Sequence, residues 1–144
     1  MPTSTVPALK ANLVTQLQAR PGLTGVQVTN GPPLPNPERE FIWVGNVNGQ
    51  QEFGFFGAPQ QRQEEFGVDV VISVLREGRD TAAADTRCFA LFAELENQLR
   101  TDPTVNNAVT EAHVGEFRLG EFVAPDGMNR VSELAVTVDC RSWI

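Results

Sequence analysis

The sequence predicts an α+β fold, an antiparallel or mixed β-sheet with two amphipathic helices packed on one face. Three observations carry this. From Glu65 to Leu75 the even positions Phe66, Val68, Val70, Ile72 and Val74 are all large and apolar, the period of two that marks a strand with one buried face. From Thr81 to Leu99, Ala84, Cys88, Leu91, Phe92, Leu95 and Leu99 recur at helical spacing. Strands come in runs, in the order α-β-β-β-β-α-β-β, without the strict alternation of an all-parallel sheet. With 144 residues, no internal repeat and no composition break, the chain reads as one domain over 1–144.

The first helix begins after the hydroxyls of Thr3 to Thr5, which offer N-caps, and Pro7 fits its first turn. Val6, Leu9, Leu13 and Leu17, with Val14 beside them, form its apolar stripe, and Pro21-Gly22 ends it. Gly25 to Thr29 alternates as a short strand. Phe41 to Val44 is apolar on both faces and reads as the second strand. Gly45 to Gly49 then carries turn chemistry, with Asn48-Gly49 a hairpin signal before a phenylalanine-rich third strand. In the central strand Val71 and Leu75 add apolar groups to the second face, so its far end is expected to be covered on both sides. Arg76 to Asp80 turns into the second helix, which Thr101-Asp102-Pro103 stops. Ala112 to Phe122 and Val131 to Cys140 alternate around the turn Ala124-Pro125-Asp126-Gly127 and form a closing hairpin.

Composition narrows the function. The net charge of -7 disfavours general binding to phosphates, so no direct reading of nucleic acid is expected. The N-terminus has no basic region followed by an apolar run, and no stretch approaches a membrane span. Cys88 and Cys140 are too few for a disulfide scaffold and read as buried, reduced thiols. The single histidine, His113, has no neighbour at a metal-ligand spacing and reads as a surface or edge residue. No nucleophile elbow, phosphate loop or zinc motif is present. Glu64 and Glu65, adjacent on a strand, face opposite sides, and read as solvated charge that blunts a sheet edge. The expectation is therefore no enzyme, no catalytic residue, no cofactor and no metal.

Two loop arms stand out, near 30–40 and 45–60. In the first, Pro32, Pro33 and Pro35 favour a stiff extended surface loop, or a ligand for a proline-reading domain. In the second, Phe53, Phe55 and Phe56 together represent about 450–750 Å² of mainly apolar surface. Such an area either folds back on the core or is covered by a neighbouring subunit. Trp143, at the end of the chain, packs down or touches a partner.

The whole pattern resembles a known family. A helix of the type Pro7-Ala8-Leu9-Lys10-Ala11 to Leu17 leads to a short strand, a loop-rich hairpin, and the long strand Glu65-Phe66-Gly67-Val68-Asp69-Val70-Val71-Ile72. The Ala-rich helix Thr81 to Leu99 and a closing hairpin follow. In length and order of elements this is similar to the tail terminator and tail completion proteins of long-tailed bacteriophages, the lambda-type minor tail protein U group. The resemblance implies a virion protein assembled in the host cytoplasm as a hexameric ring on the head-proximal end of the tail tube. Its partners would be further copies of itself, the tail tube protein, and a head–tail connector or neck protein. It implies no catalytic residues. A different head–tail joining protein and a free cytoplasmic peptide-binding module remain as alternatives.

Overall fold

The computed structural model describes residues 3–33, 39–53, 61–78, 81–124 and 127–144. Its elements are α1 (Val6–Gln18), a single 3-10 turn (Pro21–Leu23), β1 (Gln27–Asn30), β2 (Glu40–Phe53), β3 (Arg62–Glu77), α2 (Thr81–Thr101), β4 (Glu111–Val123) and β5 (Asn129–Trp143). Five strands form one mixed sheet in the order β1-β2-β3-β5-β4. β1 runs parallel to β2, and the other pairings are antiparallel. Both helices lie on one face, α2 across β3, β5 and β4, and α1 against β1, β2 and α2.

The helix stripes seal that face. Leu9, Leu13 and Leu17 of α1 are buried, as are all six apolar positions read from the sequence of α2. They meet rows of strand residues in register, such as Ile42-Ile72-Leu134 and Val44-Val70-Val136. Burial of this contiguous core is the main stabilising term.

The structure corrects the reading of residues 45–53. They are not a loop arm but the second half of β2, which continues to Phe53. The expected third strand is therefore part of the second, with a register irregularity between Val44 and Val47. Asn48 and Gly49 make no turn; they pair with Gly67 and Phe66. Gly49 is needed for close approach, because a Cβ there would stand 2.5 Å from Phe66 Cβ. At the far end of β3 the helices lie on one side, but Val71 and Ser73 on the other side are buried as well and Leu75 is half-buried.

Polar ties fix α1. Thr5 is its N-cap, but its side chain makes no cap bond. Instead the Thr5 hydroxyl and backbone N–H both donate to Glu64 Oε1, at 2.7 and 2.9 Å. Gln51 Nε2 donates to the other carboxylate oxygen at 2.8 Å. Glu64 is thus buried at 4% exposure on a central strand, contrary to the solvated edge charge expected. Burial pushes its carboxyl up, but the bonds from Thr5, Gln51 and Ser4 outweigh that and hold it below the usual range. At the other end of α1, Arg20 Nε donates to Glu94 Oε2 of α2 at 2.8 Å. Glu40 of β2 accepts from Arg76 of β3 and Arg87 of α2, at 2.8 and 2.6 Å. Burial raises its carboxyl too, and the two guanidinium groups more than offset it, so the net shift is downward.

Candidate functional site

The face of the sheet turned away from the helices is uncovered among the described residues, and it is organised in cross-strand rows. Near the β4–β5 turn the rows are apolar. Phe122, Val131 and Leu75 stand side by side across β4, β5 and β3, and Ala135, Val71 and Trp43 do so across β5, β3 and β2. Between these rows, Ser73 lies next to Phe41 and Glu133. The middle of this end is well packed without a covering layer. Val71 is 7% exposed, Val131 8% and Ser73 4%. Gly45 makes room for the Trp43 indole, since a Cβ at that position would lie 2.5 Å from Trp43 Cζ3.

Toward the opposite end the same face turns polar. Thr137 pairs with Asp69, His113 with Asp139, and Glu111 with Arg141 and then Glu65. Arg141 reaches Glu65 at 3.3 Å and Glu111 at 3.7 Å. A β-bulge in β4 sits here, and Gly115 within it lies against the Asp139 carboxylate, where a side chain would clash. Two hollows of about 450 and 430 Å³ mark the face. The first is lined by Asn48, Glu65, His113 and Arg141, the second by Trp43, Asp69, Glu116 and Glu133.

A second surface lies at the β4 edge, on the helix side. Phe89 and Phe92 of α2 meet Phe117 of β4 with ring centroids 6.0 and 5.7 Å apart, edge to face. Phe92 is buried, but Phe89 is 40% and Phe117 57% exposed. Among the described residues β4 is an edge strand, so one row of its backbone groups has no strand partner there.

Of the interface residues chosen from sequence, Phe53 and Trp143 fall at the same end of the sheet, on neighbouring rows beside Arg62 and Gln63. They are 69% and 47% exposed. Pro32 is exposed and Pro33 half-buried, in the connection between the parallel strands β1 and β2. Pro35, Phe55 and Phe56 lie outside the described residues. The open face and the Phe89–Phe117 edge were not singled out from sequence, although Phe117 and Phe122 stand in an alternating strand and Trp43 in one read as apolar on both faces.

Cys88 and Cys140 are buried free thiols, and burial pushes each up to about 12, with the Asp85 charge adding to it for Cys88 and Asp139 for Cys140. Among the described residues no group of three or more His, Cys, Asp or Glu is placed to hold a metal. No described helix is long and apolar enough to cross a membrane.

No protein-family model matches the chain, and no curated protein matches it. Among solved structures, one similar chain belongs to the virion of a native gene transfer agent particle. The two share 17% identity and superpose with a TM-score of 0.46, over 98% of this chain and 100% of that one. A likeness of that strength does not assign a function.

Proposed function

We propose that this chain is a non-enzymatic structural protein of a bacteriophage virion, a ring subunit that caps the head-proximal end of the tail tube. It stops tube polymerisation there and offers the surface on which the head is joined. One observation carries the reading. The chain presents two unlike apolar surfaces on different sides, the open sheet face with Trp43 and Phe122 and the β4 edge with Phe89 and Phe117. A monomer gains nothing from leaving both uncovered, whereas a ring subunit within a particle needs surfaces for its neighbours and a further one for the tube or the head. Phe53 and Trp143, exposed at one end of the sheet on its opposite faces, are the candidates to meet the tube or neck protein. The order of elements supports the same reading through its resemblance to the tail terminator group.

The test is electron microscopy of lysates from a phage that lacks this gene, beside its parent. Overlong tails without heads are the expected result. Tails of normal length next to free, filled heads would place the chain among other head–tail joining proteins. Normal infectious particles would overturn the virion reading altogether.

A further inference from the structure

We infer that the open sheet face is a docking surface for a basic, partly apolar segment of a different protein. This rests on that face alone and holds whether or not the chain forms rings.

The size is right. The face runs from the Phe122 row to the Trp143 row across four strands, about 40 Å by 20 Å at ordinary strand spacings, or roughly 800 Å². One partner of a stable protein complex contributes about that area. The composition is that of an interface, an apolar end with a Trp beside a polar rim.

The charge selects the occupant. Glu65, Asp69, Glu111, Glu116, Glu133 and Asp139 stand on or border the face, against Arg118 and Arg141. Arg141 is already shared between Glu65 and Glu111. Among the described residues these six carboxylates outnumber the two guanidinium groups, so the face is acidic. Such a surface repels nucleic acid and anionic lipid. A second copy presenting the same face is repelled for the same reason. What complements it is an arginine- or lysine-bearing protein segment. The carboxylates take the cations, the half-buried Trp43 indole accepts a guanidinium, and Leu75 and the exposed Phe122 cover apolar groups beside them.

The probe is a synthetic peptide of about ten alternating arginine and valine residues, titrated into the isotope-labelled full chain and followed by amide chemical shifts. The expected result is a set of shifts confined to the open face, centred on Val71, Asp69 and Ala135. Asp69→Lys and Glu133→Lys should each weaken binding by at least about fivefold. Both side chains are exposed, and should one variant fail to fold, the other carries the test. Glu96→Lys makes the same charge change on the α2 surface and should leave affinity within about twofold. The proposal is overturned by shifts scattered over α1 and α2, by equal binding of a glutamate–valine peptide, or by an equal loss in Glu96→Lys.

Discussion

On β3, the even residues from Phe66 to Val74 lie under the helices and are all buried, while among the odd residues from Gly67 to Leu75 only Val71 and Ser73 are. The two faces share a backbone, hydrogen bonds and neighbours, so secondary-structure propensity cannot account for the difference. What differs is the covering layer. Leu91, Leu95 and Leu99 close one face, whereas no described element lies across the other. The helix-covered face thus holds most of the information that fixes the fold.

Substituting leucine on each face tests this directly and gives the largest effect. Leu134→Ala opens a cavity under α2, where nothing can collapse to fill it, and should cost about 3–5 kcal/mol in urea unfolding. Leu75→Ala, on the open face and half-buried, should cost about 1 kcal/mol. Equal costs would mean that a layer covers both faces.

Glu64 is the polar member of the covered face, and its replacement should rank next. Glu64→Gln loses a buried carboxylate that accepts from Thr5 and Gln51, a change of about 1–3 kcal/mol at neutral pH. The folded-state carboxyl is held below its unfolded value of 4.5. Its stabilising contribution is therefore present above pH 4.5 and is lost as pH falls from there through the folded value. The gap between wild type and variant should close over that acidic range. A gap independent of pH would show that the loss comes from packing and not from charge.

How far these features were legible follows from where each residue takes its instructions. The stripes of α2 and β3 were readable because their periods are local and every buried position is apolar. Asn48-Gly49 misled because a dipeptide's turn preference is weak beside a strand ladder on either side of it. Gly49 is there to let Phe66 approach, a reason that lies in a strand distant along the chain. Glu64 misled for a related reason. Its pattern position pointed inward, but its charge argued outward, and only the N-terminus of α1 arriving above it resolves the conflict. Part of the open face was legible, since Val71, Leu75 and Phe41 to Val44 put apolar groups on a second face, but its division into an apolar end and a polar end appears only once register is known.

The β4 edge sharpens the contrast between stability and association. Phe117 is more than half exposed and its ring rests on Phe89 and Phe92, so Phe117→Ala should cost about 0.5–1 kcal/mol of stability. If this edge joins neighbouring copies, the same substitution should abolish rings seen by negative-stain microscopy while leaving the monomer folded. Loss of the fold itself would make the cluster part of the core.

The smallest effect is expected at Arg141, and its smallness is informative. Arg141 bridges Glu65 and Glu111 across three strands, which on a drawing looks like a brace for the sheet. Its side chain is 51% exposed, however, and its partners 46% and 50%. At such exposure water competes with the pair, and salt screens what remains. Arg141→Ala should therefore change unfolding free energy by less than about 0.5 kcal/mol, and less still in high salt. A loss above about 1 kcal/mol that persists in high salt would show that the polar rows are structural. They would then belong to the same class as Glu64 on the covered face, and the open face would have far less surface free for a partner.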